Sequence, residues 1–492
     1  MNKPIRTLSV FCLLLFVALL GNVTYLQYFK TDELNAHELN RRVQDEQYSR
    51  ERGAILVGRR PVAESRPVDD RYDYQRVYPE PRRYAHVTGW YSYFSKRGVE
   101  ESANEVLAGD DPRLFGSRLV DLLNNEQPKG GSVQLTLNRA AQRAAFDGLD
   151  AMGDGVRGSV VALEPDSGRI LAMVSMPTFN PNELASHDLS KVAEADRRLN
   201  NREDKPTLNR AIQTTLPPGS TFKLVTAAAA LESGRYDIGT PVPGGSSYRL
   251  PQSDAVIDNG GRSCGSGSIS FTQALEQSCN TTFLQLANEL GADRMREQAE
   301  RFGFNSRALE DLRGLNGGAQ AESLYPDDMN PPQTAMAGMG QSDVTSTPLQ
   351  MAMVVAGIAN KGVVMKPYVT EEVHSPDFDS LGRTEPQEYS EAMSSNTADQ
   401  LTDMMVSVVS NGTAGNAAIP GIEVAGKTGT AESEIVGGNN YAWFVSFAPA
   451  DDPQVAVAVM IENPGRADVP ISGGGLGAPI AKAVMEAVIS GE

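Results

Sequence analysis

The sequence predicts an α/β fold built on an antiparallel sheet, and three observations predict it. GSVVALEP (158–165) and RILAMVSMP (169–177) are apolar, β-branched runs separated by a turn at Gly168, the pattern of two neighbouring strands. The middle of the chain is mostly helical: SISFTQALEQSCNTTFLQLANELG (268–291) and TPLQMAMVVAGIANKG (347–362) each run to a glycine stop. IEVAGKTGTAE (422–432), YAWFVSFAPA (441–450) and QVAVAVMIE (454–462) are strand-like runs divided by turn residues, and GAPIAKAVMEAVIS (477–490) closes as an amphipathic helix. Strands, a long helical insert, more strands and a final helix are the order expected when one sheet is interrupted in sequence but continuous in space.

Ahead of that unit, residues 7–29 carry no charge. At about 1.5 Å per residue they reach across a hydrocarbon layer roughly 30 Å thick. Lys3 and Arg6 precede them, and Tyr25, Tyr28 and Phe29 suit the outer interface, so the expectation is an uncleaved single-pass anchor in the cytoplasmic membrane. A cleaved secretory signal would have a shorter apolar core and a small-x-small site after it. The expected organisation is a cytoplasmic tail (1–6), the anchor (7–29), an extended α+β pedestal (30–149) and a main domain (150–492) lying outside the membrane. The pedestal's RRVQDEQYSRERGAILVGRRP (41–61) is polar and Arg-rich, which predicts loose packing and a solvated charged face. Of 492 residues 40% are hydrophobic, enough for two or three domains. The net charge is -18, and none of the 62 acids precedes residue 31. An exported part this acidic excludes broad nucleic-acid binding, which needs clustered Lys and Arg.

The chemistry is carried by three short motifs. In PPGSTFKLVTAAAALE (217–232) two prolines and a glycine break the chain just before an Ala-rich helical run, placing Ser220 at a helix N-terminus with Lys223 three residues on, on the same face. A serine hydroxyl needs a base to become a nucleophile, and a lysine of lowered pKa can serve. A bare S-x-x-K is weak, since an N-capping serine and a surface lysine give the same string. Ser278-Cys279-Asn280 then supplies S-x-N, and Lys427-Thr428-Gly429 supplies K-T-G on a predicted strand. The order S-x-x-K, S-x-N, K-T-G is the specific signal. Ser394-Ser395-Asn396 is read as a chance second S-x-N in a polar loop. Residues 421–428 also satisfy G-x-x-x-x-G-K-[ST], but a phosphate loop must open a helix, whereas this segment alternates like a strand. His37, His86, His187 and His374 are scattered, giving neither a serine–histidine pair nor metal-ligand spacing, so no metal and no cofactor are expected. Cys264 and Cys279 either pair as a disulfide or stay as two buried thiols.

These motifs, with Arg52-Gly53-x-Ile55, Gly98-x-Glu100, Leu107-x-Gly109, Ala162-x-Glu164-Pro165-x-Ser167-Gly168, Asn209-Arg210-Ala211, Gly340-Gln341 and Thr347-Pro348-Leu349-Gln350, resemble the class B penicillin-binding proteins over nearly the whole chain. The short pedestal looks most like the actinobacterial A-type members. The resemblance implies the penicillin-recognising serine transpeptidase fold: an antiparallel five-stranded sheet flanked by helices, plus an all-helical subdomain. It implies D,D-transpeptidation of peptidoglycan stem peptides ending in D-Ala-D-Ala, and acylation by β-lactam antibiotics. Ser220 would be the acylated nucleophile and Lys223 its base. Ser278 would pass the proton to the leaving amine beside Lys427, and Asn280 would orient Lys223 and the substrate amide. Thr428, Gly429 and Thr430 would line the carboxylate subsite, with the backbone N–H groups of Ser220 and Thr430 as oxyanion hole. A Cys264–Cys279 bond would tether one wall of the cleft. A polytopic membrane glycosyltransferase and the cell-wall synthesis machinery are the implied partners, because class B relatives do not polymerise glycan. A serine β-lactamase shares the motifs but rarely carries an anchor and pedestal, and a D,D-carboxypeptidase differs only in using water as acceptor.

Overall fold

The structure is a computed structural model that describes residues 3–30, 41–114, 129–312, 320–431, 440–466 and 469–491. At its centre is a five-stranded antiparallel sheet. Its strands run, in spatial order, Ala425–Ala431, Tyr441–Ala448, Val455–Pro464, Val156–Leu163 and Ile170–Met176. Every neighbouring pair is antiparallel. All residues of Ile170–Met176 and all but one of Val156–Leu163 are buried, because helices cover both faces. The helices Arg139–Asp150 and Ala478–Ile489 pack on one face, and Pro348–Ala359 lies on the sheet with every residue buried. A helix buried on every side is a core helix, and the largely apolar PLQMAMVVAGIA, with Gln350 its one polar side chain, suits that position.

Helices Lys223–Glu232, Phe271–Glu276, Asn280–Leu290, Ala292–Arg301 and Pro331–Ala337 form the helical insert. The Lys223–Glu232 helix is buried from Lys223 through Leu231, at roughly 1.5–3 kcal/mol for each large apolar side chain. Sequence pattern reads 268–291 as one helical region; the structure interrupts it at Ser278, whose φ is +55°. The second S-x-N is also not a loop: Ser394 caps the helix Ser395–Ser410, its Oγ accepting from the Thr397 N–H.

The N-terminal region contributes a six-stranded sheet of spatial order Ser380–Arg383, Thr370–His374, Ser132–Leu135, Ile55–Val57, Arg60–Pro67 and Tyr74–Val77. Two of its strands therefore come from far along the chain, after the helical insert. The pedestal is packed more tightly than its composition predicts. Ile55, Val57, Val62, Tyr78 and Tyr84 are buried, and so are Arg52 and Arg76. Both guanidiniums point inward: Arg52 Nε donates to one oxygen of Glu100 and Arg76 Nε to the other, each at 2.6 Å, and Tyr78 O–H donates to Glu100 at 3.0 Å. Arg52 is thus an internal ion-pair partner within the Arg-rich segment 41–61, whereas Arg59 and Arg60 there are exposed as a solvated face requires, and Arg76 lies beyond the segment. Lys3–Phe29 is helical throughout and is long and apolar enough to cross a membrane.

Candidate active site

The three motifs converge from three separate elements. Ser220 sits in the short 3-10 turn Gly219–Thr221, and the helix proper begins at Lys223, so a free helix N-terminus stands beneath the serine hydroxyl. No hydrogen bond within the described residues engages Ser220 Oγ, which leaves it open to the cleft. Lys427, Thr428, Gly429 and Thr430 lie on the edge strand Ala425–Ala431, which excludes a phosphate loop because Gly426-Lys427-Thr428 are mid-strand. Their side chains alternate: Lys427 is fully buried, Thr428 half-buried and Thr430 exposed. Gly429 faces the serine turn. A Cβ there would lie 3.0 Å from both Thr221 Cγ2 and Trp443 Cβ, so glycine is what lets the strand approach Ser220.

Ser278 links the other two motifs. Its Oγ accepts from Lys427 Nζ at 3.0 Å and lies 3.3 Å from Lys223 Nζ. Lys223 Nζ also donates to Ser278 O at 2.9 Å and to Asn280 Oδ1 at 2.7 Å. Those two carbonyl oxygens can only accept, so they use the two N–H bonds of a neutral amine and leave its lone pair for a hydroxyl. The positive φ of Ser278 directs its hydroxyl between the lysines, a strained backbone of the kind found at functional sites. Asn280 is committed at both ends, since its Nδ2 donates to Asp258 O at 2.9 Å. The second Nδ2 hydrogen remains for a substrate carbonyl, so that bond need not open. Thr428 Oγ1 likewise pairs with Thr413 Oγ1 at 2.7 Å.

Electrostatics favour a neutral Lys223. Burial, the Lys427 charge and the Arg262 charge, in that order, hold its pKa well below the ordinary lysine value. Burial and then Arg262 bring Lys427 down to about 7. Among the described residues no carboxylate forms an ion pair with either lysine, and no group of His, Cys, Asp and Glu could hold a metal. Cys264 and Cys279 are bonded, with Cα atoms 5.8 Å apart, joining the S-x-N motif to the loop that carries Arg262. Sequence reasoning did not single out Arg262, Asp258 or Thr413. The first sits two residues before a cysteine of the pair, a usable signal; the other two carry none. His86 is buried, its pKa lowered to about 4 by burial, and His187 pairs with Asp70 at 2.7 Å. Both lie away from the motifs, while His37 is outside the described residues.

Residues 158–486 match the penicillin binding protein transpeptidase domain, and residues 52–133 match the penicillin binding protein A dimerisation domain. The chain belongs to the penicillin-binding-protein transpeptidases. It is 42% identical to the peptidoglycan D,D-transpeptidase PbpA of Mycolicibacterium smegmatis, over 99% of each chain. It is 41% identical to PbpA of Mycobacterium tuberculosis, over the full length of both. Among solved structures, the ceftriaxone acyl-enzyme of penicillin-binding protein A from M. tuberculosis superposes with a TM-score of 0.84 at 40% identity, covering 90% of this chain and all of that one. In this chain the serine with a buried lysine three residues on is Ser220.

Proposed function

We propose that the chain is a peptidoglycan D,D-transpeptidase that works through an acyl-enzyme on Ser220. The observation that carries this is the linked set Lys427–Ser278–Lys223–Asn280, in which two buried amines share one hydroxyl beside an unengaged serine. Lys223, held neutral, takes the Ser220 proton as Oγ attacks the carbonyl carbon between two D-alanines. The backbone N–H groups of Ser220 and Thr430 receive the oxyanion, at the helix N-terminus and the strand edge. The C–N bond breaks, the terminal D-alanine leaves with a proton delivered through Ser278, and an ester remains on Ser220. An amine of a second stem peptide attacks that ester, an amide forms, and Ser220 Oγ regains its proton. Thr428 and Thr430 hold the carboxylate of the stem peptide or of a β-lactam, next to Lys427.

Residues 150–492 are read as the catalytic domain and 30–149 as the pedestal, whose sheet is completed by Thr370–His374 and Ser380–Arg383. The apolar helix Lys3–Phe29 holds them outside the cytoplasmic membrane as a single-pass anchor. A polytopic glycosyltransferase supplies the glycan strands, because nothing in the transpeptidase site could polymerise sugars. The test is to supply a stem pentapeptide donor with an acceptor amine and follow D-alanine release together with the cross-linked product. Equal yields of both support the transpeptidase; release without cross-link points to a carboxypeptidase, and neither product overturns the reading.

A further inference from the structure

We propose that Arg262 is a positioning residue of this reaction: its guanidinium, set against the Asn280 oxygen that takes the Lys223 amine, keeps that amine in its proton-accepting form. The inference rests on Lys223 being the base for Ser220. Arg262 Nη2 lies 3.5 Å from Asn280 Oδ1, the same atom that Lys223 Nζ reaches at 2.7 Å, so two nitrogen donors share one oxygen. The guanidinium is held in place from behind. Its Nε donates to Asn259 O at 2.7 Å, and the buried Asn259 side chain is fixed in turn by donating to Gly245 O and accepting from the Thr281 N–H. Two residues further on, Cys264 is bonded to Cys279, so the loop carrying Arg262 and the S-x-N motif move as one piece.

Arg262 forms no ion pair with a carboxylate among the described residues. The nearest acid in sequence, Asp258, is exposed and turns its carboxylate to the Gly260 N–H at 2.7 Å. The charges facing Lys223 are Lys427, from the edge strand, and Arg262, from the loop. The helix Asn280–Leu290 presents neutral Asn280 and the Phe283 ring, whose centroid is 5.5 Å from Lys223 Nζ. On the two other helices packed against Lys223–Glu232, the acids Asp293, Glu297, Glu300, Asp399 and Asp403 are exposed. Three basic groups thus sit together, with the exposed Asp258 as the acid whose charge favours the Arg262 cation, and only two can relieve the repulsion by losing a proton, because a guanidinium does not deprotonate in a protein. Arg262 is the fixed charge against which the two lysines adjust. Burial and both neighbouring charges depress Lys223 accordingly.

The experiment follows acylation of the full-length protein in detergent by a fluorescent penicillin, as a second-order rate against pH from about 5 to 9. Wild type, Arg262→Gln and Arg262→Lys are compared. The acid limb of Arg262→Gln is expected at higher pH than wild type, with the rate on that limb lower by on the order of three- to tenfold and the high-pH plateau within about twofold. Arg262→Lys, which keeps the charge, is expected to restore the limb. A lower plateau with the limb unmoved is the signature of a merely structural residue and overturns the proposal, as does a profile identical to wild type. If Arg262→Gln does not fold, Arg262→Lys decides: it retains the charge but loses the bond to Asn259, so a wild-type limb supports the proposal and a displaced one contradicts it. Wild type without an acid limb, or Ser220→Ala that still takes the label, defeats the underlying reading instead.

Discussion

Lys427 illustrates how the site sets function against stability. Its amine is buried and brought to about 7, far below the ordinary lysine value of 10.5, by burial first and Arg262 second. An unfolded chain would hold that proton up to the ordinary value, so between the two the unfolded state binds more protons and stability rises with pH. Replacing the amine with an apolar chain of similar length removes this cost. Lys427→Met is expected to raise the melting temperature at pH 7 by a few degrees while lowering the acylation rate on the order of 10²- to 10⁴-fold. Calorimetry and penicillin-labelling kinetics on one preparation check both signs. Lys223→Met carries the same logic. Its pKa is likewise held well below the ordinary value, but its removal also leaves Asn280 Oδ1 without its 2.7 Å donor, so the gain in stability is expected to be smaller than for Lys427. At this scale the sequence was informative where chemistry demands a residue type at a fixed spacing. Ser220, Lys223, Ser278, Asn280 and Lys427 were legible for that reason. Arg262 was not singled out, its one signal being the cysteine two residues on, and Thr413 was not, because threonine is a common residue with no motif around it.

Among the elements, the edge strand Ala425–Ala431 and the break between helices Phe271–Glu276 and Asn280–Leu290 decide whether the motifs meet. Gly429→Ala adds a methyl 3.0 Å from both Thr221 Cγ2 and Trp443 Cβ. Strand and serine turn must then separate by a few tenths of an ångström, at a cost of about 1–3 kcal/mol. Acylation should fall by more than stability alone explains, because the displacement lies at the reacting centre. The Cys264–Cys279 bond spans 15 residues, and closing such a loop is worth about 3 kcal/mol in the chain-entropy account. The Cys264→Ser, Cys279→Ser double variant is expected to lose that much in denaturant unfolding and to acylate more slowly, since both Arg262 and Ser278 hang from the bonded loops. Unchanged stability and rate after reduction would contradict the tether. Strands and helices were legible from periodicity, but the interruption at Ser278 was not. A positive φ at a serine is imposed by what surrounds it, and the helical pattern of 268–291 continues across it.

Across the whole molecule, the N-terminal sheet and the catalytic sheet belong to one chain path that crosses between them three times. Ser132–Leu135 pairs with Ile55–Val57 on one side and Thr370–His374 on the other, a partner more than two hundred residues away. No local pattern announces that pairing, because strand registers are set by long-range contacts; four of the five catalytic strands were readable because they are strongly apolar and bounded by turns, while the fifth, AGKTGTA, was readable as the strand-like run that carries the K-T-G motif. The buried Arg52–Glu100–Arg76 cluster was hidden for a related reason: arginine-rich text reads as solvated until a buried acid is seen between the guanidiniums. Burial opposes ionisation of Glu100, yet Arg76 and Arg52 outweigh it and hold its pKa below the ordinary value. Its stabilising effect is therefore full at neutral pH and lost as pH falls through the lowered value. Glu100→Ala leaves two buried cations unpaired and is expected to cost about 3–5 kcal/mol. Proteolysis should then cut first in the N-terminal region, while Ser220 in the remaining folded fraction still acylates.

In the proposed reaction the attacking atom is Ser220 Oγ. Incubating the full-length protein and its Ser220→Ala variant with penicillin G, then measuring intact mass and mapping the modified peptide, tests it directly. One stable adduct per wild-type chain is expected, on the peptide containing Ser220, and none on the variant. An adduct on any other residue, an adduct that survives Ser220→Ala, or rapid turnover of the drug without a retained adduct would contradict it.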